Sequence, residues 1–283
     1  MPQIANLPHR TLIRIAGPDW ATFLKCLCTA HIDRISDDVA GGRLNSLHYG
    51  AFLRPQGKMY ADCLLISVAT DEIWLDVPLS ARDELLSRLN MYKLRAKVTI
   101  EPLERPVFVA FGDVVPENFS ADPRSTIVRA SFGFAYGDRT ANADAGDWMT
   151  YRMHLGISDP GYDFGADELY AIDANLDLLD AIDFHKGCYV GQELTSRMKR
   201  RGQIKNRILP VMSMQRLQSG SELSIGERKV GDILAVTPDT APSAALALVR
   251  LDRLTQMNVG AGDIPATLEP PEWLTANLGP ASE

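Results

Sequence analysis

The sequence predicts an α+β fold with antiparallel sheets, followed by a smaller all-β unit. Residues 11–100 hold short strand-like runs that alternate with helical patterns, and a second, similar run begins at residue 107. After about residue 203 the chain consists of short β runs broken by Gly, Pro and Ser, which predicts a small barrel or sandwich of about 80 residues. The expected organisation is a region 1–202 of two α+β lobes (approximately 1–104 and 105–202) and a β-barrel or sandwich domain with a Pro-rich tail over 203–283.

The first lobe is expected to surround an antiparallel sheet. TLIRIAG (11–17) predicts a strand, and PDWATFLKCLCTAHIDRI (18–35) predicts one helix that begins at Pro18. SLHYGAFL (46–53) and KMYADCLLISV (58–68) predict two strands joined by the turn RPQG. The runs EIWLDV, PLSARDELLSRLNMY and KVTIEP then predict a strand, an amphipathic helix and a further strand.

The second lobe is expected to begin with a strand over VFVAFGD (107–113). TIVRASFGFA and DWMTYRMH predict more strands, and NLDLLDAI (175–182) predicts a short helix that Asp173 or Asn175 could cap. ELTSRMKRR predicts a helix that ends at Gly202. The last β runs are IKNRILPVMS, SELSIG, RKVGDILAVTP and SAALALVRLDRL, and the tail after them is expected to pack loosely.

Composition limits what the protein can be. The 283 residues are 46% hydrophobic and 23% charged, which is typical of a globular protein. No apolar run approaches the ~18 residues of a membrane span, and the N-terminal stretch has no signal or transit pattern, so we expect a cytoplasmic protein. Cys26, Cys28, Cys63 and Cys188 form no CxxC pair and no zinc spacing. The first three are expected to be small core residues.

The net charge of −7 is unevenly distributed. Residues 158–183 carry eight acids and no base, whereas residues 197–207 carry six bases and no acid. The two runs could be solvated faces, or the second could be a basic patch for an anionic ligand or partner. An RNA-binding module is one such possibility. Direct nucleic-acid binding is not expected, since the basic run lacks interleaved aromatic residues and the protein is acidic as a whole.

The stretch HKGCYVGQE (185–193) concentrates polar groups around two glycines. Gly187 and Gly191 allow a ligand to approach the backbone closely. Tyr189 offers a ring for stacking, and Lys186 could meet a carboxylate or a phosphate. The residues alone are compatible with an active site, a ligand-binding loop or a strand that happens to be polar.

The same region carries a candidate thiol. Cys188 can become a reactive thiolate beside cations, while Gln192, Glu193 and Arg197 supply further hydrogen-bonding and charged groups. The pattern is neither a P-loop, nor a dinucleotide loop, nor the papain-type cysteine motif. A Cys–His hydrolase would need a base and an orienting group that nothing in the sequence positions.

K-G-C-Y-V-G-Q-E, followed by S-R at 196–197 and R-R-G at 200–202, resembles the signature of the folate-binding YgfZ proteins. These are relatives of the glycine-cleavage T-protein, an aminomethyltransferase. Other stretches are similar to the same family and bring the resemblance to most of residues 11–252. They are 42–66 with Q-G-K and the following Asp62, MYKLRAKVTI (91–100), DLLDAIDF before the signature, KVGDILAV and ALALVRLDRL.

The resemblance implies a T-protein-like, three-lobed architecture, with two α+β lobes and a C-terminal β-barrel around a central folate pocket. It implies binding of tetrahydrofolate or a one-carbon derivative, with Asp62 at the position of the T-protein's catalytic Asp and Cys188 as the reactive residue. The cofactor-binding residues that the resemblance implies are Asp62, Asp173, Lys186, Gly187, Tyr189, Gly191, Gln192, Glu193 and Arg197.

The family's role implies assembly or repair of iron–sulfur clusters, chiefly [4Fe–4S], in enzymes that include tRNA-modifying ones. Its partners would be folate and iron–sulfur client or carrier proteins. The alternative is T-protein-like aminomethyl transfer to tetrahydrofolate. Against it, His154 stands where the T-protein has the Glu that holds the pterin. Asp173 is a separate departure, since members of the resembled family usually carry a Glu there within P-x-E-A. No stably bound metal or cluster is expected, because a Cys₄ ligand set is absent from the sequence.

Overall fold

The computed structural model describes residues 1–200, 204–238 and 241–278. Within them, fifteen strands form two antiparallel sheets and one closed barrel. This confirms the predicted α+β class with a C-terminal β-barrel. The strands are β1 (Gln3–Asn6), β2 (Arg10–Ala16), β3 (Leu47–Leu53), β4 (Met59–Ala69), β5 (Glu72–Pro78), β6 (Thr99–Leu103), β7 (Val107–Gly112), β8 (Ser120–Ala121), β9 (Ser131–Tyr136), β10 (Asn206–Ser213), β11 (Glu222–Ile225), β12 (Arg228–Val236), β13 (Ser243–Arg250), β14 (Asn258–Ala261) and β15 (Ile264–Leu268).

Helices cover the sheets and the barrel end. They are α1 (Trp20–Lys25), α2 (Ile32–Ala40), α3 (Arg82–Lys93), α4 (Arg124–Val128), α5 (Ala145–His154), α6 (Gln192–Arg200) and α7 (Glu272–Thr275). Short 3₁₀ turns precede α3 and follow β13.

The first sheet has the strand order β3-β4-β5-β2-β6, and all its strands except the edge strand β6 are largely buried on both faces. Successive residues of β4 point to opposite sides, as in any strand. Cys63 and Leu65 pack in a core with α1, α2 and α3, whereas Leu64 and Ile66 pack in a second core shared with β7, β9 and α5. The sheet therefore separates its own helices from the second lobe, and Asp62 lies on the second-lobe side.

The second sheet has the order β1-β7-β9-β8. Its first strand comes from the N-terminus, where Gln3 pairs with Phe111 and Asn6 with Phe108. Trp148 of α5 packs against the rings of Phe111 and Phe132, with centroids 5.5 Å away in both cases. The sheet and helix thus share one aromatic core.

The barrel closes in the order β10-β13-β12-β11-β14-β15 around an apolar interior. Leu274 of α7 is fully buried against that interior. The expectation of a loosely packed tail is therefore wrong as far as residue 278. The last five residues, 279–283, lie outside the described part.

Four predicted elements differ from the structure. The strand predicted over TIVRASFGFA is partly helical, because α4 covers Arg124–Val128 and β9 begins only at Ser131. The helix over 18–35 is broken, because the Thr29 amide donates to the Ala51 carbonyl at 2.9 Å and Cys28 forms a bridge with Phe52. DWMTYRMH is helix α5 rather than a strand, and a capping box of Asp144 and Asp147 starts it. The predicted helix over 175–182 is a series of turns.

Two further outcomes concern that last segment and its successor. Asn175 and Asp180 have φ of 64° and 54°, which interrupts any helix between them, so neither Asp173 nor Asn175 is a helix cap. The helix expected over ELTSRMKRR is confirmed as α6. Its predicted end at Gly202 lies outside the described residues.

Candidate functional site

The signature loop, residues 185–191, is fastened to the segment 26–31 that links α1 and α2. The Lys186 ammonium donates to the Ala30 carbonyl at 2.8 Å and also to the Cys28 carbonyl. The Val190 amide donates to the Cys26 carbonyl at 3.1 Å. Lys186 is 9% exposed, and burial lowers its pKa although Cys28 and Asp183 act in the opposite direction. Lys186 therefore anchors the loop and does not project toward solvent.

Asp183 organises the start of this loop. One of its carboxylate oxygens accepts from the amides of His185 and Lys186, at 2.9 Å and 3.0 Å. Its own amide donates to the Thr29 carbonyl at 2.9 Å. An Asp that binds the two or three residues after it shapes a turn without regular secondary structure. The loop is thus held from both the side chain and the backbone.

The two signature glycines have different surroundings. Gly191 has φ +83°, and a Cβ there would lie 2.7 Å from the Arg54 carbonyl oxygen and 2.8 Å from the Leu53 Cβ. The close approach at Gly191 is therefore to the strand β3 and not to open space. Around Gly187, a Cβ would meet no described atom within 4 Å. Gly187 is the glycine that leaves the backbone accessible.

The side chain of Tyr189, within the loop, is buried and has an unsatisfied hydroxyl. It is 6% exposed, and its ring centroid is 4.9 Å from the Lys186 ammonium. The buried hydroxyl oxygen has no hydrogen-bond partner among the described residues. Burial raises the pKa of Tyr189, so the group is a neutral donor and acceptor at physiological pH. Buried polar atoms of this kind are normally paired, which makes the hydroxyl a candidate ligand contact.

A cavity of about 670 Å³ opens beside Cys188, whose side chain is exposed. We call it the signature cavity. Its lining residues are Phe184, His185, Cys188, Tyr189, Gln192, Glu193, Ser196, Lys199 and Arg200. The structure thus brings together four of the predicted site residues, which are Cys188, Tyr189, Gln192 and Glu193.

A second cavity of about 370 Å³ lies on the other side of α6. It is lined by Tyr170, Asp173, Leu194, Arg197, Met198, Lys205 and Asn206. Residues 192, 193, 196, 199 and 200 of α6 face the signature cavity, and residues 194, 197 and 198 face the second. Helical spacing alone produces this division. Asp173 and Arg197 are therefore near each other but apart from Cys188.

Asp173 is 4% exposed in the wall of the second cavity. Burial raises its pKa to about 6, although Lys58 and Arg207 counteract this effect. This pKa is close to physiological pH, so the Asp173 carboxyl can both gain and lose a proton there. The sequence predicted Asp173 to be either a helix cap or a ligand contact. Asp173 caps no helix, and its position in the wall of a cavity agrees with a ligand contact.

Asp62 lies away from both cavities. It is 2% exposed, and its two oxygens accept from Arg10 at 3.3 Å and from the Tyr49 hydroxyl at 3.2 Å. Burial raises its pKa to about 6, whereas the charge of Arg10 lowers it. Arg10 also contacts Asp76 at 2.6 Å and Asp159 at 2.9 Å. In this arrangement Asp62 belongs to an internal charge network, and each of its oxygens already accepts one hydrogen bond within the protein.

The structure also places His154 and the described residues of the basic run 197–207. His154 is exposed at the end of α5 and lines neither cavity. Arg207 is buried and donates to Asp177 at 3.1 Å, and Lys199 contacts the same carboxylate at 3.0 Å. The basic run is therefore partly neutralised by the preceding acidic run, which argues against a continuous patch for phosphates. Residues 201–203 lie outside the described part.

Cysteine burial corrects one expectation. Cys28 and Cys63 are fully buried, as expected, but Cys26 is exposed and is not a core residue.

Three residues that line the signature cavity were not predicted from the sequence: Phe184, Ser196 and Lys199. Ser196 and Lys199 follow Gln192 at the spacing of one helix face, so the sequence could have predicted that they share a cavity with Gln192. No signal of that kind existed for the contact between the Cys28 and Cys63 sulfurs, which are 3.7 Å apart.

The described residues form neither a candidate metal-ion cluster nor a helix that could span a membrane. Residues 1–200, 204–238 and 241–278 contain no cluster of three or more His, Cys, Asp or Glu side chains arranged to hold a metal ion. In the same ranges, no helix has the length and apolar character needed to cross a membrane.

Residues 205–276 match the family model described as the CAF17 C-terminal β-barrel domain. Over most of its length, the chain is similar in fold to the aminomethyltransferase T of the glycine cleavage system from Bartonella henselae. That structure aligns with a TM-score of 0.71 over 95% of this chain and 85% of its own, at 12% sequence identity. This agrees with the T-protein-like architecture that the sequence resemblance implied.

Curated relatives are similar over most of the chain. The iron–sulfur cluster assembly factor IBA57, mitochondrial, of Mus musculus is 29% identical over 73% of this chain. The IBA57 homologues of Mycosarcoma maydis and Pyricularia oryzae, also named as mitochondrial, are each 28% identical, over 74% and 93% of this chain. The chain spans 65% of the mouse protein, 57% of the first fungal protein and 75% of the second.

These names overturn one expectation and refine another. The similar proteins are named as mitochondrial, which contradicts the cytoplasmic location expected from the sequence. The similarity reaches iron–sulfur cluster assembly factors of the IBA57 type. Membership of the YgfZ family itself stays a prediction.

Proposed function

We propose that this chain is an iron–sulfur cluster assembly factor that uses Cys188 as its working thiol. The observation that carries the proposal is an exposed cysteine at the mouth of a preformed cavity, on a loop fastened by Lys186 and Gly191. The names of the relatives support the same role. Its partners would be iron–sulfur client or carrier proteins, with tRNA-modifying enzymes among the clients.

The chemistry of the cavity suits a cluster that is held briefly as cargo. A thiolate is the ligand that iron–sulfur clusters prefer in proteins. A single thiol supplies one ligand and leaves the other iron positions to the donor or acceptor protein. Arg200 lines the same cavity and favours an anionic thiolate-ligated cluster. The rigid loop would hold the sulfur in place during the exchange.

Cluster transfer tests this role. The full chain is mixed with a [2Fe–2S]-loaded carrier protein and the apo form of a [4Fe–4S] dehydratase, and recovery of dehydratase activity is followed. We expect wild type to accelerate recovery and Cys188→Ser to abolish the acceleration. Cys26→Ser is the matched control, because Cys26 is also exposed but lies outside the signature cavity. Equal acceleration by wild type and Cys188→Ser would refute the role of Cys188.

We further propose that tetrahydrofolate or a one-carbon derivative binds in the signature cavity. Its volume of about 670 Å³ lies in the usual range for small-molecule sites. The Phe184 ring and the unpartnered Tyr189 hydroxyl suit a flat heterocycle with polar edges, and Arg200 suits a carboxylate tail. When bound, a reduced folate supplies a carrier for one-carbon units. The residues around Asp62 fit a folate less well, because Arg10 and Tyr49 already occupy both carboxylate oxygens.

Calorimetry with tetrahydrofolate separates the two locations. We expect wild type, Cys188→Ala and Asp62→Asn to bind alike and Arg200→Met to bind more weakly. Loss of binding in Asp62→Asn alone would move the pocket to the centre of the lobes. Absence of binding by wild type would remove folate from the proposal and leave cluster transfer to be judged on its own assay.

Aminomethyl transfer is the less favoured activity. His154 is exposed and lies at neither cavity, and Asp62 is engaged by Arg10. We expect no methylene-tetrahydrofolate when the protein is incubated with tetrahydrofolate and an aminomethyl donor. Steady release of that product would reverse the preference.

A further inference from the structure

Two buried thiols lie under the signature loop, outside the cavity that the proposed function uses. The Cys28 sulfur is 3.7 Å from the Cys63 sulfur, and both residues are fully buried. Cys63 lies on the helix-facing side of β4, and Cys28 lies in the segment 26–31. The two sulfurs are thus in van der Waals contact although 35 residues separate them.

Backbone pairing places the thiols together. Cys63 is opposite Gly50 in the β3–β4 pair, and Cys28 forms an antiparallel bridge with Phe52. A Cβ at Gly50 would lie 3.0 Å from the Cys28 sulfur and 2.6 Å from the Ala30 Cβ. The absent side chain at Gly50 therefore leaves the space that the Cys28 thiol fills.

The environment distinguishes the two thiols. Burial tends to raise the pKa of Cys28, but the hydrogen bond with Cys63 and the charge of Lys186 lower it to about 7. Burial and the same hydrogen bond raise the pKa of Cys63. Cys28 is therefore the more nucleophilic sulfur, and Cys63 is a protonated neighbour within reach of it.

We propose that Cys28 and Cys63 are a redox modification site, at which a peroxide converts the two thiols into a disulfide. The Cys28 thiolate attacks one peroxide oxygen, the O–O bond breaks, and Cys28 becomes a sulfenic acid. The departing hydroxide takes up the proton that the Cys28 thiol had released and leaves as the first water. The Cys63 sulfur then attacks the Cys28 sulfur and displaces its hydroxyl. That hydroxyl takes the Cys63 proton and leaves as the second water. The two sulfurs lose two electrons in total, and the peroxide gains them.

The modification would reach the signature loop through its anchors. A disulfide holds its sulfurs about 2.05 Å apart, so bond formation draws Cys28 toward β4. The Lys186 ammonium is bound to the Cys28 and Ala30 carbonyls, and the Val190 amide to the Cys26 carbonyl. A shift of this segment therefore changes the support of Cys188.

Burial sets the order of events. Cys188 is exposed, whereas peroxide reaches Cys28 only when the segment 26–31 opens locally. The disulfide therefore forms more slowly than Cys188 is modified.

Peptide mapping tests the site in the full chain carrying Cys26→Ser. In this variant the tryptic peptide 26–34 has Cys28 as its single cysteine, and the peptide 59–82 has only Cys63. The reduced protein is treated with hydrogen peroxide, blocked with N-ethylmaleimide and digested without reductant. We expect the two peptides to be linked and to separate on reduction. Recovery of both cysteines as maleimide adducts, or linkage of Cys28 to Cys188, would overturn the proposal.

Two further measurements support the assignment of roles. In Cys26→Ser/Cys63→Ala, Cys28 should be trapped by dimedone as a sulfenic acid, and the link should disappear. In Cys26→Ser/Cys188→Ser, whose signature loop has no oxidisable thiol, hydrogen exchange at the Val190 amide should become several-fold faster after oxidation and return to its starting rate after reduction. An unchanged rate would refute the coupling to the signature loop. Disulfide formation needs neither cluster nor folate, so its failure would leave the proposed function standing.

Discussion

Arg10 donates to the Asp76 carboxylate at 2.6 Å, and the two side chains are only 5% and 0% exposed. The same guanidinium contacts Asp62 and Asp159 and so connects the first sheet with the segment after α5. One buried cation therefore compensates three buried carboxylates.

Removal of this cation should be costly. Arg10→Met leaves Asp62, Asp76 and Asp159 without their shared partner, and we expect a loss of about 3–5 kcal/mol in the free energy of unfolding. The measurement is urea denaturation followed by circular dichroism. Arg14→Met is the matched control on the same strand. Arg14 is 31% exposed and pairs with Glu72 and Glu101, so we expect a loss of about 0–1 kcal/mol. Equal losses in the two variants would contradict the importance of the buried network.

The pKa of Asp173 predicts a pH dependence of stability. Burial raises that pKa to about 6 in the folded protein, above the ~3.9 of an unfolded Asp. The contribution of Asp173 to stability is therefore fully present below about pH 4 and is lost as the pH rises through about 6. Asp173→Asn lacks this titration, so its free energy of unfolding minus that of wild type should rise by about 2–3 kcal/mol between pH 4 and pH 7. A difference that stays constant across urea titrations in this range would disprove the raised pKa.

The two signature glycines should respond differently to alanine. Gly191→Ala places a Cβ within 2.7 Å of the Arg54 carbonyl oxygen at a φ of +83°, and we expect a destabilisation of about 1–3 kcal/mol. Gly187→Ala meets no described atom within 4 Å, and we expect a change within about 0.5 kcal/mol. Thermal and urea unfolding measure both. The reverse order of stability would mean that Gly191 is not held against β3.

Lys186 should act on the loop through its two backbone acceptors. Lys186→Met leaves the Cys28 and Ala30 carbonyls without their buried donor, with an expected loss of about 1–3 kcal/mol. Hydrogen exchange at the Val190 amide, which binds the Cys26 carbonyl, should become faster. Lys199→Met is the control, since the Lys199 side chain is 43% exposed. If the exchange at Val190 is the same in both variants, Lys186 does not fasten the loop.

The strands of the first lobe were predictable because their apolar and β-branched runs are bounded by clear turn residues, as at RPQG. Helix α5 was not. Its residues Trp148, Thr150 and Tyr151 favour strands when taken singly, and the capping box of Asp144 and Asp147 decides the outcome. The break between α1 and α2 depends on pairing with β3, which no local pattern reveals.

The candidate site likewise has residues whose positions could be predicted from the sequence and residues whose positions could not. Cys188, Tyr189, Gln192 and Glu193 are close in sequence, so a loop followed by one helical turn brings them to one cavity. The positions of Asp62 and Lys186 depend on partners more than 50 residues away, Arg10 for the first and the segment 26–31 for the second. Sequence patterns report residue types at such positions but not their long-range partners.

The pairing of β1 with β7 has a consequence for any attempt to divide the molecule. The first residues of the chain complete a sheet whose other strands come after residue 106. A fragment ending near residue 104 would carry an orphan strand, and a fragment beginning there would present the open edge of β7, a ready template for association with other chains. The two lobes are therefore interlaced along the chain, and a second-lobe fragment that carries the strand Gln3–Asn6 fused ahead of Val107 is a better route to separate halves than a simple cut.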